Sequence, residues 1–259
     1  MTSLTALKAQ LTAVVTGVAQ GQSAATELCL ACVEFLGVDG ASVSMIHEGA
    51  SRGTFGASNE ISRRIDEYQF TYGEGPCLDA VAKQELVSAP DLSASHERRW
   101  PIFSEAVLND GIHGVFAVPI KITSACVGAL DLFRAAPGPL GPEQLAGAVV
   151  AAEVASLTLI SLVGDDVGPD GRQVDLETRL MTDGESAWGR LAEMDRIEVY
   201  QATGMLISQL DVDADEALIR LRAYAIANGL TASQVAWAIL NRTLVLERDD
   251  HDGPGGGRS

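Results

Sequence analysis

The sequence predicts two folded units: an α+β domain with a mainly antiparallel sheet, then an all-α unit of three helices. Three observations carry this. Strand patterns occur first as a pair, are then separated by helical stretches, and end as a second, longer pair, which favours α+β over alternating α/β. An acidic segment over 164–185, GDDVGPDGRQVDLETRLMTDGE, then breaks the periodicity with three glycines and a proline before residue 172. Three helical patterns with clear end signals follow it. At 259 residues the chain is comfortable for two domains, and 47% hydrophobic against 20% charged residues is a globular composition.

In chain order, 2–20 and 22–37 read as helices separated by GQ, the first forming an N-terminal element over 1–21. ASVSMIHEG and SRGTFGAS read as a strand pair around a glycine-containing turn. NEISRRIDEYQF reads as a helix, TYGEGP as a loop, and a short helix starts at Cys77. ELVSAPD is a short strand, and a helix begins at about Ile102. Two long strands, GIHGVFAVPIKIT and SACVGALDLFRA, turn at Thr123 and Ser124, and a helix over 142–163 closes the domain. That last helix is nearly long enough to span a bilayer, but Glu153 sits at its midpoint, where a charge costs about 2.5–3.5 kcal/mol. A buried helix in a cytoplasmic protein is the expectation, with no membrane partner. The N-terminus lacks the basic start and unbroken apolar run of a signal peptide.

Charge restricts function. Lys and Arg number 18 against 35 Asp and Glu, a formal net charge of −17. Such a surface repels phosphate, so DNA is not an expected partner and any RNA contact must come from a local patch. The four cysteines are Cys29, Cys32, Cys77 and Cys126. Cys29 and Cys32 have metal-like spacing but no second pair beside them, so they read as buried small hydrophobes and no metal site is expected. No Ser/His/Asp or Cys/His set assembles by spacing, and no phosphate-binding glycine loop is present in the sequence. The chain therefore does not read as an enzyme.

The C-terminal helical patterns cover 186–210, 214–228 and 232–247, and 249–259 is disordered by composition. Asp213 with Glu216, and Thr231 with Gln234, have capping-box spacing, and Gly229 suits the residue after a helix end. Val199, Ala202, Leu206 and Leu210 form one row of the first helix, while Leu191, Met194 and Ile197 form another. One row can pack on the following helices while the other pairs with a second chain, so a homodimer is expected through 145–163 and 188–210. Trp237, Leu240 and Leu244 give the third helix a second apolar side.

The stretch QATGMLISQLDVDADEALIRLRAYAIANGLTASQVAWAIL resembles an ANTAR domain, the three-helix RNA-binding module of bacterial transcription antiterminators. The shared pattern is Gln201-Ala202-x-Gly204-x-Leu206, Glu216-Ala217, Leu221-Arg222-x-x-Ala225 and Val235-Ala236. The resemblance implies binding to hairpins in leader transcripts, so that a terminator does not form. It places Arg222 first among RNA-binding candidates, with Thr203 at a position where the family commonly carries lysine; Arg242, late on the inner side of the third helical pattern, is a secondary candidate. Arg220 lies on the far side of the helix, about 200° from Arg222 at 100° per residue.

Residues 22–163 resemble a GAF domain, a sheet with helices on both sides that commonly holds a small ligand or a dimer interface. TYGEGPCLDAV, SAPDL and GIHGVFAVPIKITSACVGALDLF carry the resemblance. It implies a small-molecule effector of unknown identity, with no cofactor identified. In GEGPC, Gly73 and Gly75 permit a tight turn and Pro76 suits the first helical position. Cys77 would then meet unpaired N–H groups in the first turn, which favours thiolate and makes it a candidate redox sensor. Two other readings compete: an interaction scaffold with a degenerate ANTAR module, and a GAF-type thiol enzyme such as a methionine sulfoxide reductase using Cys77 and Cys126.

Overall fold

The computed structural model describes residues 3–17, 22–47, 50–122, 125–164 and 196–247. It divides into two units, Met1–Arg196 and Ile197–Ser259. The expected linker, the 186–195 part of the next helix with Leu191 and Met194, the turn at Thr123 and Ser124, and the tail lie outside the described residues.

In the first unit α1 (Leu4–Thr16) and α2 (Gln22–Leu36) precede β1 (Gly40–His47) and β2 (Ala50–Ala57). Then come α3 (Glu60–Tyr72), α4 (Pro76–Lys83), β3 (Val87–Ala89), α5 (Pro101–Asn109), β4 (Gly114–Ile122), β5 (Ala125–Arg134) and α6 (Pro142–Gly164). The five strands form one sheet in the order β2-β1-β5-β4-β3, every pair antiparallel. Strand alternation sends successive side chains to opposite faces. Val43, Leu130, Leu132, Phe116 and Val118 pack with Leu28, Cys32 and Leu36 of α2, and with Ala148, Ala151 and Ala155 of α6. Leu7 and Leu11 of α1 join this same core. On the other face, Val115, Ala117 and Phe133 meet Ile65 of α3, Ala80 of α4 and Phe103 and Val107 of α5. The sheet is thus covered on both sides.

The charge inside α6 is resolved by position. Glu153 is exposed and accepts a hydrogen bond from Lys8 Nζ at 2.7 Å, while the alanines of the helix face the sheet. Among the described residues no helix is long and apolar enough to cross a membrane.

The second unit is three helices: α7 (Ile197–Leu210), α8 (Ala214–Ala227) and α9 (Ala232–Leu240). Its core is Val199, Ala202, Leu206, Leu210, Ala217, Leu221, Ala225, Val235, Ala236 and Ile239, all buried. Both helix starts are capped, but of the two expected capping boxes only the second closes reciprocally. Asp213 accepts from the Glu216 amide at 2.8 Å, and Thr231 and Gln234 form a reciprocal capping box. Gly229 takes the left-handed conformation at φ 64°, and the Leu230 amide donates back to the Ala225 carbonyl at 2.9 Å. Among the boundaries that differ from expectation, two have a clear local cause. Thr71 and Tyr72 extend α3 up to Gly73, whose left-handed φ of 66° stops it. α9 ends at Leu240 instead of continuing to 247, because Arg242 turns left-handed at φ 58° and the amides of Thr243 and Leu244 close on the Ala238 carbonyl.

Candidate functional site

The GEGPC stretch is a structural junction. Gly73 ends α3, and Glu74 accepts from the amides of Ile102 and Phe103 at 2.7 and 2.9 Å, capping the start of α5. Gly75 has φ 149°, and a Cβ there would press into the side-chain amide of Gln69. Gln69 needs that space: its Oε1 accepts from the Cys77 amide at 2.8 Å while its Nε2 donates to Asp131 Oδ2 at 2.8 Å. One side chain therefore ties the first turn of α4 to the middle of β5.

Around Asp131 lies a fully buried polar cluster on the sheet face covered by α3 and α4. Ser44 of β1, Thr54 of β2, Asp66 and Gln69 of α3, and Asp131 of β5 are each 3% exposed or less. Asp66 Oδ1 accepts from the Ser44 hydroxyl, and Oδ2 from the Thr54 hydroxyl. Arg196, the last residue of this unit and 3% exposed, donates from Nη2 to Asp66 Oδ2 at 3.1 Å. Its guanidinium stands 4.1 Å from the centre of the Phe70 ring, a cation–π contact. Two buried atoms in this cluster have no hydrogen-bond partner among the described residues: Arg196 Nη1 and Asp131 Oδ1. Each such orphan costs about 1–3 kcal/mol.

Protonation follows from the geometry. Burial pushes the Asp131 carboxyl up to about 8, and the nearby Asp66 adds to the rise, against hydrogen bonds from Gln69 and Ser44. The Ser44 hydroxyl has one proton and lies within reach of both carboxylates, 3.3 Å from Asp131 Oδ2. A protonated Asp131 resolves this by donating to Ser44 while Ser44 donates to Asp66. Asp66, Cys77 and Asp131 also offer ligand atoms within 4.8 Å of one another, a constellation that Cys29–Cys32 spacing gave no hint of.

Cys77 sits in the first turn of α4 after Pro76, as the sequence predicts, but it is fully buried. Burial pushes its thiol well up, and Asp131 and Asp66 push in the same direction, overriding the helix start. The expectation of an acidic, redox-sensing thiol at Cys77 is corrected accordingly. Cys29 and Cys32 are buried, with Cys32 raised to about 12. All four cysteines are free thiols, and Cys126 alone among them is partly exposed. Alkylation of the folded protein at pH 8, followed by mass spectrometry, should label Cys126 at least about tenfold faster than the other three. Faster labelling of Cys77 would contradict this burial.

In the second unit the nucleic-acid candidates separate. Arg222 is half-buried beside the Ala217–Leu221–Ala225 stripe. Arg220 is held by Glu216 one turn earlier, donating from Nε and Nη2 at 3.0 and 2.7 Å. Thr203 does not face outward: it is buried, and its hydroxyl donates to the Val199 carbonyl at 2.7 Å, so its candidacy is corrected. Arg242 is exposed but lies beyond the end of α9, not on its inner side. Gly204, part of the ANTAR-like pattern but not among the RNA-binding candidates, adds a further surface position. No heavy atom lies within 4 Å of where its Cβ would stand, yet a mid-helix glycine costs about 1 kcal/mol relative to alanine. With Gln201, Met205, Ser208, Gln209 and Leu240 it lines an open groove.

The family model of the GAF domain matches residues 21–159. Among solved structures, the GAF domain from Acinetobacter phosphoenolpyruvate-protein phosphotransferase is 11% identical with a TM-score of 0.49, covering 62% of this chain and 94% of that one. The GAF domain from a Coxiella burnetii phosphoenolpyruvate-protein phosphotransferase is 17% identical with a TM-score of 0.47, covering 61% and 94%. Type II free methionine-R-sulfoxide reductase from Thermoplasma acidophilum is 14% identical with a TM-score of 0.41, covering 60% and 96%. No curated protein matches the chain.

Proposed function

The chain belongs to the GAF domain family, and on that premise we propose that it is a signal-responsive transcription antitermination regulator. Its GAF unit senses a small molecule, and its three-helix unit binds RNA hairpins in leader transcripts. The observation that carries this reading is the division of the ANTAR-like pattern between core and surface. Ala202, Leu206, Ala217, Leu221, Ala225, Val235 and Ala236 are buried, whereas Gln201 and Gly204 are exposed and Arg222 is half-buried. A pattern whose polar members are left at the surface suits a module that meets a ligand there. The reading makes the protein a cytoplasmic regulator rather than an enzyme. Exposed Ile197 and Tyr200 on α7 suit a second copy, and light scattering on the binding samples reads that stoichiometry.

Sequencing of RNA crosslinked to the protein in its host identifies the hairpin, and purified variants test the contact. Arg222→Ala should lose about 1–3 kcal/mol of hairpin affinity, the range of a good bidentate contact, without a matching fall in melting temperature. Arg220→Ala should lose little, because Glu216 already neutralises it. Equal losses, or normal binding by Arg222→Ala, would overturn the assignment. Background RNA alone in the crosslinked pool would favour a scaffold.

A further inference from the structure

We propose that the buried cluster on the α3–α4 face recognises a small organic cation bearing a guanidinium group, and that Arg196 is its built-in competitor. This rests on the sensing role of the GAF unit and does not depend on RNA. The recognition elements are already assembled: Asp66 for the charge, Phe70 for the flat face of the cation, and Asp131 as a second acceptor. Arg196 uses them incompletely. It reaches Asp66 through one nitrogen, leaves Nη1 without a partner, and leaves Asp131 Oδ1 without a donor. A free guanidinium is not fixed to the backbone at Arg196 and so has more freedom to place its N–H groups in this cluster. An unpartnered donor on Arg196 and an unpartnered acceptor on Asp131, both buried in one polar cluster, leave hydrogen-bonding capacity that the present occupant does not take up.

The two occupants exclude each other, so ligand concentration is read as release of Arg196. Arg196 is bonded to Ile197, the first residue of α7, which gives the released residue a direct covalent link to the second unit. A metal ion is the rival occupant, since Asp66, Cys77 and Asp131 cluster closely, but the side chain already present there is a planar organic cation.

Removing Arg196 should open the site to a free guanidinium. Thermal unfolding of the full-length Arg196→Ala protein, with and without 10 mM methylguanidine, should show a rise of about 3 °C. The wild type and Arg196→Ala/Asp66→Asn should move by less than about 1 °C under the same conditions. An equal shift in all three proteins, no shift in Arg196→Ala, or stabilisation of Arg196→Ala by Zn²⁺ but not by methylguanidine would overturn the proposal. Limited trypsin digestion is a second measurement that does not need that variant to fold. Cleavage after Arg196 should be about tenfold faster in Asp66→Asn than in the wild type, because the arginine loses its anchoring charge. Equal rates would show that Arg196 is not held there. Neither assay reads RNA binding, so the antitermination reading can fail while this inference stands.

Discussion

Asp66→Ala should lower stability by about 3–5 kcal/mol, the usual loss when one member of a buried ion pair is removed. The carboxylate accepts from Ser44, Thr54 and Arg196, so its removal takes an acceptor from three donors at once in a buried region. Arg196→Ala should be milder, at about 1–2 kcal/mol, because Asp66 keeps two hydroxyl donors when the guanidinium leaves. Urea unfolding midpoints at pH 7 measure both. Equal losses would mean that the pair, not the carboxylate's network, dominates.

The second large effect depends on pH. In the fold the Asp131 carboxyl is raised to about 8, against about 3.9 in an unfolded chain. Between those values the folded state holds one more proton than the unfolded state. The linkage sign therefore makes the wild type lose stability as pH rises from 4 to 8, by up to about 1.4 kcal/mol per pH unit. The groups that face Asp131 are Ser44, Asp66, Gln69, Cys77 and, through Asp66, Arg196. Asp131→Asn keeps a neutral group of similar shape whose amide oxygen can still accept from Gln69 Nε2, and it does not titrate. It should be nearly as stable as the wild type at pH 4, about 1–2 kcal/mol more stable at pH 5, and about 4 kcal/mol more stable at pH 7. Urea unfolding across that range checks the divergence. Parallel curves would show that Asp131 is ionised in the fold.

These residues also show how far the sequence alone could be read. Both strand pairs, the sheet's antiparallel character and the caps of α8 and α9 follow from periodicity and local end chemistry, which act over a few residues. Asp131 left a signal: a carboxylate in the middle of CVGALDLF must be buried if the strand is covered on both faces. Arg196 left none, because its approach to Asp66 joins positions separated by 130 residues. Thr203 was legible by spacing, since it lies four residues after Val199 and three before Leu206 on the buried side. The family resemblance outweighed that spacing and assigned it to the RNA face. Cys77 was placed correctly on its helix, but burial beside two carboxylates is a tertiary fact that a first-turn argument cannot supply. The early end of α9 depends on a left-handed arginine, which neither propensity nor apolar patterning signals.

The sheet's two borders carry a consequence for how copies of this chain meet. One outer strand, β3, has three residues, too few to template a long ladder. The other, β2, pairs with β1 through two register shifts, which bend and twist a strand away from the flat geometry that edge-to-edge growth requires. Both borders are therefore poor seeds for polymerisation. Lateral extension of the sheet by a strand from another chain is disfavoured at either border.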